Sequence, residues 1–562
     1  MTDAPEPAAL HDSAKLLAEF RSELACSMRR AGLSDERLGK RIGFDRTTVN
    51  KVRNGLLAPS PQFAQKVKEE FGQALWRLWV AWDAAGPREG AETRTRQRHE
   101  TEQQAGAIRA TVPQPPARKL RTVEFVAWVA DRSHLSFQES YDAVVTHVER
   151  LEAEAPAVRY GEAYRRGQVT REQLARALVA YYRDTAPGDV GAAFYRACVG
   201  GVPLTLSVLV RPGWRDAAVR LATDQERFQL AGPGPLASRL DGAALEAALL
   251  RLAQVETSGT VLVDNPLYRL LGIAITGHRL EAVVALADFS SYALTMDLLE
   301  TELITTLAAG GPQLPGSPDP PHIRARLPLR DVYLPTVNSA LTVSDRLCVG
   351  GPVALLAVAR SGTRRSQGDP DFMLLIQERS ARVINVPGKL AVVPKAFHQP
   401  SVEAAEEASL SASLERELEE ELLGREDLEH LSESSYRRAD PFHPDHLSDP
   451  MRWLLDRRQT DAYRVECLGF GINMVTGNYE FPCLIVIDDE EWWARYGGQV
   501  QANWEIARIR CYSSRDTAGL RALATDPRWS NEGLFAFIEG LRRLAELDTK
   551  SRLALPRIDV EA

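Results

Sequence analysis

The sequence predicts a multidomain protein: an all-α bundle first, an α-rich middle domain, and a C-terminal α/β (α+β) domain. Three observations point there. The chain has 562 residues, too many for a single hydrophobic core. Two stretches rich in Pro, Gly and polar residues, 86–119 and 310–324, read as linkers. Apolar spacing is mostly helical before the second linker, whereas strand-like runs dominate the residues soon after it. Domains are therefore expected at 15–85, 120–309 and 325–547.

Within the first of these, Leu16, Leu17, Phe20, Leu24 and Met28 have helical spacing. Two short helices should come next. Ser34 is a good N-cap for one and Gly43 a good stop; Asp45 caps a second, which ends at Asn54-Gly55. Leu38, Ile42, Val49 and Val52 are spaced to share a small core, with Leu33 and Phe44 at its edge. Arg46, Thr47, Thr48, Asn50, Lys51 and Arg53 should then face outward, with side chains suited to base edges and phosphates. Between Arg29 and Glu69 ten basic residues oppose four acidic ones, a net +6 in a chain of net −8. A basic island in an acidic chain is an electrostatic footprint for a polyanion.

This stretch, with SPQFAQKVKEEF as a further helix, resembles the Cro/C1-type helix-turn-helix family over residues 15–72. The resemblance implies double-stranded DNA as partner. Asp35 stands where the family often has Gln, and an acid there would repel a phosphate; Arg53 stands where Glu is common, which favours DNA. Beyond it, Trp76, Trp79 and Trp82 fit a homodimer seam and equally a lid on the small core.

Hydrophobic content of 44% and charged content of 26% are those of a globular protein, with no apolar run long enough to span a membrane. Six scattered cysteines without a C-x-x-C pair suggest a reducing cytoplasm and buried free thiols. The Ala, Arg, Gly and Leu usage suits a high-GC bacterial genome.

In the middle domain Ser136 and Thr170 cap predicted helices, VPLTLSVLV (202–210) and Phe228–Leu230 read as strands, and 241–308 reads as helix. His134 and His147 are isolated and read as ordinary structural or surface residues.

The C-terminal domain predicts strand, loop, strand, loop and then the helix SASLERELEEELLG, Ser411–Gly424. Glu417, Glu420 and Glu421 fall at i, i+3 and i+4 on one helical face. Hard oxygen ligands on a rigid element suit Mg²⁺ or Mn²⁺, with Arg416 orienting a ligating carboxylate. The spacing also fits a solvated acidic face. In its context, Arg416-Glu417-Leu418-x-Glu420-Glu421 resembles the Nudix hydrolase signature G-x5-E-x7-R-E-U-x-E-E-x-G-U, where U is bulky and apolar. The resemblance covers 325–547 and implies a Nudix-like sandwich, with Glu417, Glu420 and Glu421 as metal ligands in a catalytic set with Arg416. The signature's first Gly falls on Val402, its first Glu on Ala408 and its second Gly on Leu423. Ligands kept in an altered loop imply two functions. One is a transcription regulator whose Nudix-like domain senses a nucleotide-type ligand. The other is a Mg²⁺-dependent hydrolase of nucleoside diphosphate derivatives with an accessory DNA-binding module. Asp488, Asp489 and Glu490 are candidate bases for the second and fit a strand-ending turn as well. Asp440, His443, Asp445 and His446 read as loop chemistry, with a metal site as the alternative.

Overall fold

The computed structural model describes residues 20–78 and 120–561, apart from isolated positions and internal stretches of which 310–325 and 424–446 are the longest. Both expected linkers, Gly43, Asp45 and Gly55, the three tryptophans at 76, 79 and 82, and the Asp440–His446 cluster lie outside the described residues. The chain forms two compact units, Met1–Pro115 and Pro116–Ala562. It is of mixed α/β class, and no described helix is long and apolar enough to cross a membrane.

In the first unit, α1 (Asp35–Ile42), α2 (Arg46–Asn54) and α3 (Pro61–Phe71) come after a helical segment carrying Phe20, Leu24 and Met28. Ser34 Oγ accepts from the Arg37 N–H at 3.4 Å, which starts α1. Leu38, Ile42, Val49 and Val52 meet in one core with Phe63, Ala64 and Val67, while Leu33 and Phe44 pack at its margin. Phe44 stands edge-on to Phe63, ring centroids 5.2 Å apart.

The second unit opens with α4 (Val123–Arg132), α5 (Phe137–Ala153) and α6 (Arg171–Tyr181). Ser136 with Glu139, and Thr170 with Gln173, form reciprocal capping boxes at the starts of α5 and α6. Next come β1 (Ala193–Val199), β2 (Val202–Val210), β3 (Val219–Arg220), β4 (Glu226–Leu230), α7 (Gly242–Ser258), β5 (Pro266–Thr276), β6 (Arg279–Asp288), α8 (Leu298–Ala309) and α9 (Pro328–Tyr333). The C-terminal half supplies β7 (Gly350–Arg360), β8 (Asp371–Arg379), β9 (Leu390–Val392), α10 (Leu410–Leu422), β10 (Tyr463–Cys467), β11 (Gly471–Asn473), β12 (Tyr479–Ile487), β13 (Ile506–Ser513), α11 (Asn531–Leu547) and β14 (Ile558–Val560).

Residues 266–288, expected to be helical, form a hairpin. β5 and β6 pair antiparallel around Thr276-Gly277-His278, and Gly277 takes φ 58° at the turn. β6 alternates buried and exposed positions along much of its length, the two-residue period of a half-buried strand. β4 joins β6 in parallel to complete a three-stranded sheet.

The expected boundary at 310–324 does not separate two compact bodies. The main sheet runs β13-β8-β7-β12-β11-β2-β1-β14, so strands from 193–210 continue a sheet built from 350–513. Ile472 of β11 opposes Leu209 of β2, and Val560 of β14 opposes Ala197 of β1. The physical reason is edge pairing: neither half closes its own sheet, and each covers an edge of the other. β14 also carries the sheet past the expected end at 547.

β7 is buried throughout. Its Val353, Leu355, Ala357 and Ala359 belong to one core with α11, whereas Ala354, Leu356 and Val358 belong to another with α10. The two-sided burial explains the near-continuous apolar run in this strand, which pairs in parallel with β12. Cys348, Cys467 and Cys483 are buried free thiols, as expected; Cys511 is exposed.

Candidate ligand-binding site

The sequence singled out two groups of residues, and the fold treats them differently. On α2, Arg46 is exposed and Thr48 half-buried; Thr47 and Lys51 lie on the same helix. Asn50 and Arg53 do not simply face outward. Asn50 Nδ2 donates to Asp35 Oδ2 at 2.9 Å, and the Arg53 guanidinium grips both Asp35 oxygens, each at 2.9 Å. Burial pushes the Asp35 carboxyl up, but the bonds from Arg53 and Asn50 and the charges of Arg53 and Arg46 outweigh it and hold it below its ordinary value. The acid expected to repel phosphate is thus neutralised inside the bundle, where it locks α1 to α2.

The acidic helix α10 is not a solvated face. Glu415, Glu419, Glu420 and Glu421 are all buried, and Glu417 keeps only 14% of its side chain exposed. Ser409 caps the N-terminus, and Glu226 of β4 accepts there from the Leu410 and Ser411 N–H groups and the Ser411 hydroxyl. An anion at the positive end of a helix is favourable. Glu415 pairs with Arg458, and Glu419 accepts from the backbone and hydroxyl of Ser448. Arg416 donates to the Gln399 carbonyl at 2.9 Å and lies 3.8 Å from Glu417. Glu421, with no exposed surface, accepts from the Lys395 N–H at 3.1 Å and lies 3.7 Å from Arg379. Among the described residues no three His, Cys, Asp or Glu side chains are arranged to hold a metal ion. Of the candidate bases, Asp488 is tied to Arg552 and Lys550, and Asp489 caps the helix Glu490–Tyr496.

A pocket that the sequence did not flag lies beside the start of β7. Gly350 and Gly351 form part of its wall. The segment 394–398 lies directly against them, with Ala396 N–H donating to Pro352 O and His398 N–H to Gly350 O. Three acids face the pocket: Glu300 on α8, Glu480 on β12 and Glu532 on α11. Lys395 Nζ donates to Glu532 at 2.6 Å, and Asn473 Nδ2 lies 3.3 Å from both Glu480 and Glu532. Arg171 and Lys389 complete the charged lining, with Trp529 and Phe397 as aromatic surfaces.

These charges interact. Burial, then the Glu532 charge, pushes Glu480 up to about 8 against the opposing pull of Lys395. Burial also works against ionised Glu532, yet Lys395 wins and holds it below its ordinary value. Glu300 is pushed up to about 7 by burial and by Asp297 and Glu532. An acid whose folded-state pKa is raised stabilises the fold fully below its unfolded value, and that contribution is lost as pH rises through the folded value. The melting temperature of the larger unit is therefore expected to fall across pH 5 to 9 for this reason, with the Glu480 part lost around pH 8. In Glu480→Gln that part of the slope should vanish; parallel pH profiles of the two proteins would refute the assignment.

Only weak signals for the pocket stood in the sequence: a Gly-Gly pair opening a strand, an acid in the apolar run YEFPCLIVI, and Asn531-Glu532 opening the last long helix. The chain matches no protein-family model and no curated protein.

Proposed function

We propose that the protein is a DNA-binding transcription regulator in which the N-terminal bundle binds double-stranded DNA through α2, and the Nudix-like C-terminal part senses a nucleotide-type small molecule. The observation that carries the DNA reading is a pair of short helices sharing one core, with Arg37, Lys40, Arg41 and Arg46 exposed on them. The Asp35 clamp supports it by fixing the helix that would enter the groove. Sensing is favoured over hydrolysis because Glu420 and Glu421 are buried, Glu421 already accepts a backbone N–H, and a separate polar pocket is present.

Competition binding on labelled genomic fragments tests the first half. A preferred fragment should emerge, with affinity falling steeply as salt rises. Arg46→Ala should weaken binding by about 1–3 kcal/mol. Absence of any preferred fragment, together with no effect of Arg46→Ala, would sink the reading. For the second half, a nucleotide library is offered to the full chain with Mg²⁺, and each bound compound is recovered. Intact recovery supports a sensor; cleaved product supports the hydrolase.

A further inference from the structure

The pocket lining carries both acids and cations. Of the acids, Glu480 and Glu532 are 5% and 3% exposed and converge on the single amide of Asn473. Lys395 satisfies Glu532, but among the described residues Glu480 has no ion pair of its own. Of the cations, Arg171 is 6% exposed; its Nη1 donates to the Thr205 carbonyl at 3.2 Å, while its buried Nε has no partner among the described residues. Lys389 lies within electrostatic reach of both Arg171 and Glu300, and burial lowers its pKa. A buried guanidinium N–H without an acceptor is costly, and an anionic ligand group would supply one.

We infer that this pocket takes a small ligand with a nitrogen-donor head seated on Glu480 and Glu532 and an anionic group facing Arg171 and Lys389. This names the ligand class of the proposed sensor and rests on the part of that reading in which the larger unit binds a small molecule. Two sources share the chemistry: a zwitterionic amino acid with a basic side chain, and a nucleotide whose base carries an exocyclic amine. The half-buried ring of Phe397 suits a planar head of either kind. On binding, the Glu480 carboxylic O–H gives its proton to the buffer, and a ligand N–H takes its place on the carboxylate. The groups acting on Glu480 during this exchange are Glu532, Lys395 and Asn473, with Tyr292, Cys348 and Tyr479 also within its electrostatic reach.

Calorimetry on the full chain at pH 7, in two buffers of different ionisation heat, tests this with arginine, GMP, IMP and inorganic phosphate as probes. Arginine or GMP should bind saturably and release a proton count on the order of one. IMP, which lacks the exocyclic amine, should bind at least about tenfold more weakly than GMP if the nucleotide is the source. Glu480→Gln keeps the shape of the protonated side chain; it should abolish proton release and weaken binding about tenfold. Arg171→Gln should weaken binding while leaving proton release intact. Failure of both arginine and GMP to bind overturns the inference, as does equal binding of IMP or phosphate, or binding without proton release. DNA affinity of the same preparation, measured without ligand, reports separately on the regulator reading.

Discussion

Arg330→Ala is expected to destabilise the larger unit by about 3 kcal/mol or more, because two charge-assisted hydrogen bonds of about 1.5–3 kcal/mol each are lost. Arg330 is completely buried. Its Nη1 and Nη2 donate to the carbonyls of Met474 and Val475, each at 2.6 Å, and Nη1 also reaches the Tyr182 hydroxyl at 3.3 Å. Tyr182, just after α6, in turn donates to the Leu334 carbonyl, just after α9. One guanidinium thus satisfies the backbone beyond β11 and joins it to α6 and α9. Removing it leaves buried carbonyls without donors. Arg330→Lys should rescue little, because an ammonium lacks the planar fork that meets two carbonyls at once. Urea unfolding of both variants checks this; a midpoint equal to that of the unaltered chain would refute the role.

Gly351→Ala is the second large effect, expected at about 3 kcal/mol, the upper end for overpacking. A Cβ at this position would stand 2.2 Å from the Ala396 carbonyl oxygen and 2.8 Å from the His398 nitrogen, both backbone atoms that cannot rotate away. At Gly350 it would stand 1.8 Å from the Tyr479 carbonyl oxygen. The pair lets β7 approach β12 and the 394–398 segment closely enough to form the pocket wall. Gly213→Ala is the control: a Cβ there meets nothing within 4 Å, and its effect should stay within about 0.5 kcal/mol. Thermal unfolding of the two variants side by side decides; similar melting temperatures would count against the packing argument.

Local signals were legible where local physics decides. Ser136 and Thr170 start the helices that they were expected to cap. The small core around Leu38 and Val52 emerged from spacing alone. The hairpin at 266–288 was misread because its apolar run has strand and helix readings of similar merit, and the Gly277 turn alone marks the difference. Asp35 was misjudged because its partners lie 15 and 18 residues away, on the next helix. The carboxylates of α10 were legible as a group, but their burial depends on Ser448, Arg458, Lys395 and Glu226, none adjacent in sequence. The pocket draws on segments from Arg171 to Glu532, and no periodicity links them.

The pairing of β1 with β14 also bears on the order in which the protein can be made. Strands 193–199 and 202–210 find their outer partners only at 558–560 and 471–473. During translation these strands leave the ribosome long before the residues that cover their edges. The nascent chain therefore carries an open β-edge while the residues between β2 and β14 are added, a state prone to wrong association. The helical bundle draws its core from residues 20–75 and can close while the rest is still being added.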